Sequence, residues 1–274
     1  MIRLIHPFPS LLDALLTGGL VRLAGAGLDR ALLLGAAMFC LQASIGALND
    51  LADIEHDRGQ KPGKPLPRGL VPPGAARLAV VGGLAAGLGL SLAGGLLTVG
   101  VALAGVAIGY AYDLRLKASR WSWLPFALGL PLLPVYAWVG ASGGVPAAFL
   151  LLIPMAVIGG AALALANELA DAERDRAADV RTAVGSLGRQ RAWRIGLALQ
   201  AIVALVAAGS LIIDGAPVLA IGAADGSIAL LMIGLALGRS PLAATRERGW
   251  EAQAIALGGL AVAWLGGLAS RGSL

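Results

Sequence analysis

Charge is scarce in this chain. Asp, Glu, Lys and Arg make up 14% of its 274 residues, against about a quarter in an ordinary soluble domain. Aromatic residues are only 5%, and Cys40 is the single cysteine, so no intrachain disulfide can form. A lone thiol in an apolar run reads as a small core residue. Residues 1–10 carry one basic residue, Arg3, and no small-residue cleavage site before a polar segment, so no cleavable signal peptide is read there. Also missing are the ten-residue stretches of alternating apolar and polar residues that a membrane barrel requires. What the chain has instead is 58% hydrophobic residues, 40 glycines and a mean hydropathy of +0.81. Apolar runs such as 84–111 and 149–166 are continuous. A soluble globular domain and a disordered chain are both excluded. An all-α, polytopic membrane protein remains.

A helix needs about 20 apolar residues to cross a bilayer. Nine spans are expected, at 10–28, 30–50, 73–93, 96–113, 123–140, 146–168, 191–212, 216–238 and 250–270. Only Asp29 and Arg30 separate the first two. The short connections hold Gly and Pro, whereas 51–72, 114–122, 169–190 and 239–249 hold the charge. The net charge of +5 and pI near 10 would point to nucleic acid in a soluble protein. In a membrane protein they report topology, because cytoplasmic loops collect Lys and Arg. With the N-terminus in the cytoplasm, 18 of the 21 Lys and Arg residues fall on the inner side, and only Arg22, Arg30 and Arg271 do not. The expectation is one multi-pass transmembrane domain over 1–274 in the cell membrane, with loops 49–72 and 167–190 cytoplasmic and no nucleic-acid partner.

The chain also repeats itself. The ten residues from Asn49 to Arg58 recur 118 positions later, from Asn167 to Arg176, with seven identities. Four spans separate the copies, so both lie on the same side of the membrane. This is a parallel repeat, and such repeats commonly build a site at their interface. If each helix continues past its span, Asn49, Asp53 and Asp57 lie at i, i+4 and i+8 on one face. Asn167, Asp171 and Asp175 repeat the pattern. Carboxylates so crowded require a counter-charge. Hard oxygen donors suit Mg²⁺, which takes one or two carboxylates and completes its shell with water and phosphate oxygens. A pair of solvated acidic loop segments is the alternative. Two copies in register at span ends favour a metal–diphosphate site.

Cations lie beside the acids. The first copy runs on into Lys61-Pro62-Gly63-Lys64-Pro65-Leu66-Pro67-Arg68-Gly69, a loop stiffened by prolines from which Lys64 and Arg68 can reach back over the carboxylates. The connection after span 4 opens with Tyr112 and continues to Lys117, where a hydroxyl and an ammonium could bind phosphate oxygens and stabilise a departing anion. Inside-positive topology accounts for most of these cations. All three lysines nevertheless sit in these two loops, against 18 arginines elsewhere and among them.

These residues resemble the UbiA superfamily of intramembrane prenyltransferases. The family's first motif, N-D-x-x-D-x-x-x-D, is matched by Asn49, Asp50, Asp53 and Asp57, and the proline loop after it is similar to residues 63–69. Its second motif, D-x-x-x-D, is matched by Asp171 and Asp175, with Tyr112 and Lys117 between them. The loop departs from the family in carrying Gly63, Lys64 and Arg68 where Asn, Arg and Ser are usual. Lysine keeps the charge but loses the guanidinium fork. The resemblance implies a polyprenyl diphosphate donor, two Mg²⁺ ions, and a hydrophobic or aromatic acceptor in a central cavity open to the lipid bilayer.

The expected reaction is ionisation of the donor to an allylic carbocation, attack by the acceptor and loss of a proton. Catalysis then rests on positioning and charge stabilisation. Asp53, Asp57, Asp171, Asp175 and Lys117 are the expected catalytic set. Lys64, Arg68, Tyr112 and Lys117 are expected on the diphosphate. Asn49, Asp50, Asp53, Asp57, Asn167, Asp171 and Asp175 are expected on metal. Phe126, Tyr136 and Trp138 could face the carbocation or simply pack. Arg22 could hold an acceptor carboxylate or snorkel to the headgroups, and Asp225, midway along span 8, is a second acceptor candidate. Transfer to an aromatic or quinone precursor leads. A membrane terpene cyclase and transfer to a lipid or sugar-phosphate acceptor share the same machinery. An ion-coupled transporter would need acids near mid-membrane, whereas most acids here sit at span ends.

Overall fold

Apolar runs become helices, and glycine and proline set where they stop. The computed structural model describes residues 4, 6–58, 63–177 and 179–272, without the His56 side chain. Arg3 and Lys61, counted above as inner-side cations, lie outside them. All elements among the described residues are helical. In chain order they are α1 (Pro7–Leu23), α2 (Leu28–Ala52), α3 (Ile54–Asp57), α4 (Pro73–Ser91), α5 (Leu96–Ala111), α6 (Leu124–Gly129), α7 (Leu132–Ser142), α8 (Phe149–Ala177), α9 (Ala183–Leu187), α10 (Arg189–Ile213), α11 (Val218–Leu237) and α12 (Ala243–Ala269).

Eight segments among the described residues are long and apolar enough to cross a membrane, where the sequence led us to expect nine. The difference lies at the start. α1 begins at Pro7 and has 17 residues, at the short limit for a span. Its end comes five residues before the expected boundary, because Gly25 turns the chain with φ +88°. α2 then starts at Leu28 with Asp29 in its first turn, where a carboxylate complements the helix dipole. The expected fifth span is two helices, α6 and α7, parted at Pro131, which has no N–H to continue the ladder.

The chain forms two compact units. The first comprises Met1–Leu116 and Leu132–Val145. In it α2 packs along α1 and α4, and α7 packs on α1 and α5. The helices approach closely: a Cβ on Gly83 of α4 would stand 2.8 Å from the Cys40 carbonyl of α2. Several polar groups inside this unit are matched to one another, which a lipid environment favours. Ser44 Oγ donates to Val80 O at 2.7 Å and meets Tyr110 OH at 2.7 Å. Ser91 Oγ meets Tyr136 OH at 2.8 Å.

The second unit comprises Lys117–Pro131 and Pro146–Leu274. α8 is its axis, packed by α6, α10 and α12, with α11 against α12. At the α8–α6 crossing, a Cβ on Gly160 would lie 2.3 Å from the Phe126 carbonyl, so only glycine fits. Gln200 Nε2 donates to Gln253 Oε1 at 2.7 Å, and Trp264 Nε1 donates to Ser210 Oγ at 2.7 Å. α8 has 29 residues, about 43 Å at 1.5 Å per residue, so it outruns a hydrocarbon core of about 30 Å. The second motif rides on its last turns.

Candidate functional site

The first motif is not carried on one unbroken helix. α2 ends at Ala52, Asp53 stands outside with φ −97° and ψ 2°, and α3 resumes at Ile54. The α-type ladder nevertheless passes through the break: Asp53 N donates to Asn49 O at 3.1 Å and Asp57 N to Asp53 O at 2.8 Å. The i, i+4, i+8 register of Asn49, Asp53 and Asp57 therefore survives with a loosened joint at its middle residue.

Asp50 and Asp57 are buried, at 0% and 1% exposure, and they close on a single cation. Lys64 Nζ lies 2.6 Å from Asp50 Oδ1 and 2.7 Å from Asp57 Oδ2. His6 Nε2 also reaches Asp50 Oδ1, at 3.0 Å, whereas Asp50 Oδ2 is buried with no hydrogen-bond partner among the described residues. Burial by itself would lower the pKa of Lys64; the two carboxylates outweigh it and hold the ammonium above its usual value.

The loop makes this contact possible. Leu66 is buried with Leu4, Ala47, Val71 and Ala76 and anchors the turn. Leu70 N donates to Pro65 O and Gly69 N to Leu66 O, both at 3.0 Å, and Gly69 takes φ +69°. A tight, proline-stiffened turn thus seats Lys64 on the acids and leaves Arg68 exposed.

At the end of α5 the helix widens into a single π turn, Tyr112–Leu116, a distortion frequent at functional sites. It brings in Asp113, buried at 4% exposure, which accepts from Asn49 Nδ2 at 2.8 Å. An ionised carboxylate can only accept. The amide nitrogen of Asn49 must therefore face Asp113, and its oxygen, the atom able to bind a metal, is turned away.

The second motif lies wholly within α8, so Asn167, Asp171 and Asp175 share one helix face as expected. All three are partly exposed. Arg174 forms an ion pair with Asp171 one turn back. Each motif thus keeps a cation of its own on a motif carboxylate.

The acid after the motif asparagine behaves alike in the two copies. Asp50 holds Lys64 in the loop that follows it. Glu168, buried at 6%, accepts from Ser122 Oγ and from Val184 N, the latter at 2.8 Å, while Ala183 N donates to Ser122 Oγ at 3.3 Å. Glu168 therefore ties down α9 in the loop after its own motif. Thr182 caps α9 by accepting from Gly185 N at 3.0 Å.

Other expected residues are placed elsewhere. Arg22 is at the far end of α1, where it donates to Ala26 O. His6, beside the opposite end of α1, meets Asp50, so Arg22 stands about 25 Å along the helix from the first motif and is not gathered with it. Asp225 is exposed midway along α11, ten residues from the Leu235 carbonyl that accepts from Trp193. Tyr136 and Trp138 are packed, at 1% and 5% exposure. Tyr112 and Lys117 are partly buried. The sequence reading overlooked Asp113, His6, Ser122, Glu168 and Arg246. A signal existed for Glu168, which occupies the position of Asp50 in the repeat.

Mg²⁺ fits this donor set. Among the described residues no three His, Cys, Asp or Glu side chains gather into a ready cage. Mg²⁺ uses one or two carboxylates and fills its shell with water and phosphate oxygens. The orphaned Asp50 Oδ2, the paired carboxylates already closed on an ammonium, the oriented Asn49 amide and Asp53 are among the oxygens the first unit offers.

Residues 11–258 match the model of the UbiA prenyltransferase family. The digeranylgeranylglyceryl phosphate synthase of Methanopyrus kandleri is 28% identical over 179 residues, which cover 63% of this chain and 64% of that protein. The chain thus matches less than two thirds of that relative's length. A UbiA homolog from Aeropyrum pernix superposes with a TM-score of 0.76 at 19% identity, covering 94% of this chain and 98% of its own. A UbiA homolog from Archaeoglobus fulgidus, solved with GPP and Mg²⁺, does so with a TM-score of 0.71 at 23% identity, covering 95% and 98%. These two likenesses concern the fold. The family match extends over most of the chain and includes both motifs, and so this integral membrane protein belongs to the UbiA prenyltransferase family.

Proposed function

We propose that the chain transfers a prenyl group from a prenyl diphosphate to a hydrophobic acceptor in a Mg²⁺-dependent reaction. The observation that carries this reading is the buried pair Asp50 and Asp57, closed on one cation at 2.6 and 2.7 Å, beside an Asn49 amide oriented by Asp113. Such a pair is built for positive charge. The Archaeoglobus homolog of the same fold is solved with GPP and Mg²⁺, which supports a prenyl diphosphate as the ligand.

Asn49, Asp50, Asp53 and Asp57 would hold Mg²⁺ in the first motif, and Asn167, Asp171 and Asp175 in the second. Bound there, the metal would neutralise the charge of the leaving diphosphate. Lys64, Arg68 and Lys117 donate to phosphate oxygens, and the Tyr112 hydroxyl adds a neutral donor. These groups stabilise the charge that develops as the donor's C1–O bond ionises. The acceptor then attacks the allylic carbocation and releases a proton. Apolar helices keep water from the cation. The positive-inside distribution supports a cytoplasmic N-terminus with both motifs on the cytoplasmic side.

For the acceptor, an aromatic or quinone precursor is the first reading. A glyceryl phosphate lipid is the second, favoured by the Methanopyrus relative. Purified protein in lipid nanodiscs, supplied with GPP, Mg²⁺ and each acceptor class in turn, should release diphosphate and form one prenylated product. Asp53→Ala and Asp171→Ala should abolish both. Unchanged turnover in either variant would refute the role given to that motif, and a cyclised hydrocarbon from donor alone would refute transfer.

A further inference from the structure

The largest fully buried side chain among the described residues is a cation, Arg246, at 1% exposure. It stands in the first turn of α12. Its Nε donates to Leu169 O at 2.6 Å, and its Nη2 approaches Ala170 O at 3.5 Å and pairs with Glu173 Oε2. Its Nη1 donates to Ser240 O at 3.0 Å and Pro241 O at 2.8 Å. Glu173 is held from a second side by Arg189, whose Nη1 lies 2.6 Å from Oε1. One carboxylate of α8 therefore gathers the starts of α10 and α12.

Stability alone does not explain why the guanidinium reaches the α8 carbonyls. Leu169 and Ala170 lie inside α8, where the amides four residues on already serve their carbonyls. A guanidinium buried against one shared, half-exposed carboxylate recovers little of its desolvation cost. What the contact does is geometric. It grips α8 on the two residues just before Asp171. At about 100° per residue, Glu173 lies roughly 200° from both Asp171 and Asp175. Holding Glu173 back therefore turns those two aspartates to the opposite side.

We infer that Arg246 is a positioning residue which, through Glu173 and the Leu169 and Ala170 carbonyls, fixes the rotation of the last turns of α8 and so the aim of Asp171 and Asp175. The inference rests on the proposed role of these aspartates toward a metal-bound diphosphate. It touches no ligand itself. Its loss should act as loss of an outer support acts on metal sites, by about 10–100-fold in affinity.

The test uses the full chain in nanodiscs with Mn²⁺ in place of Mg²⁺ and GPP present, and reads bound Mn²⁺ by electron paramagnetic resonance. Arg246→Met and Glu173→Gln should weaken Mn²⁺ binding about 10–100-fold and broaden the bound spectrum. Arg246→Lys, which keeps charge without the fork, should fall between. Should Arg246→Met fail to assemble, Glu173→Gln carries the same test, because its carboxylate is half exposed. Wild-type Mn²⁺ affinity in these variants, alongside a loss in Asp171→Asn, would overturn the inference and leave the reading of the motif standing. A lowered thermal midpoint with unchanged affinity would likewise reduce Arg246 to a structural role. No loss in Asp171→Asn would overturn both.

Discussion

Replacing Lys64 with methionine removes the cation from two buried carboxylates while keeping an unbranched apolar stem. Asp50 and Asp57 are at 0% and 1% side-chain exposure and Lys64 at 16%, so solvent screens the cluster little. Deleting one partner of a buried ion pair typically costs about 3–5 kcal/mol. In EDTA, Lys64→Met should therefore lose that much unfolding free energy, a factor on the order of 10²–10⁴ in the folded-to-unfolded ratio. Mg²⁺ should restore part of it, since a ligand at about 100 times its Kd contributes about 2.7 kcal/mol. Wild type should gain less, because its own ammonium already occupies the carboxylates. Denaturant unfolding in detergent, followed by tryptophan fluorescence with and without Mg²⁺, measures both quantities. The pH dependence has a definite sign. The folded-state pKa of Lys64 is raised above its ordinary 10.5, so the stabilisation is complete below that value and is lost as pH rises through the higher one. The gap between wild type and variant should stay level through neutral and mildly alkaline pH and close only in strong alkali. A variant as stable as wild type in EDTA, or equal Mg²⁺ stabilisation of the two proteins, would refute this account.

Three further outcomes are expected. Asp113→Ala frees the Asn49 amide to rotate and should raise the Mg²⁺ concentration for half-maximal diphosphate release about 10–100-fold. Ser122→Ala removes a hydroxyl from buried Glu168 and should cost about 1–3 kcal/mol, with faster hydrogen exchange over Ala183–Leu187. Gly160→Ala places a methyl 2.3 Å from the Phe126 carbonyl and should cost about 1–3 kcal/mol in thermal or denaturant unfolding.

Helix existence was legible because apolar length is a one-dimensional property, and eight of the expected spans follow from it directly. The boundaries were less so. Gly25 and Pro131 end helices inside runs that hydropathy reads as continuous. The second motif was read correctly as one helical face, since nothing in residues 167–177 interrupts α8. In the first motif the same arithmetic met a break at Asp53 that composition does not announce. Arg246 escaped for a different reason. It lies in an Arg-Glu-Arg run that resembles solvated inner-side charge, and burial is fixed by the carbonyls of a helix 76 or 77 residues away. Lys64 drew notice because all three lysines sit in the two loops beside the acids. Its contact with Asp50 and Asp57 was not legible, because it depends on how the turn at residues 65–70 folds back.

The overhang of α8 ties the second motif to the lipid around it. About 43 Å of helix meets a hydrocarbon layer of about 30 Å, and thickening or thinning the layer shifts how far the helix protrudes or how much it leans. Asp171 and Asp175 ride on the protruding end, so their height above the headgroups is set by acyl-chain length as well as by protein contacts. If the proposed transfer holds, turnover in vesicles of graded chain length should accordingly pass through an optimum.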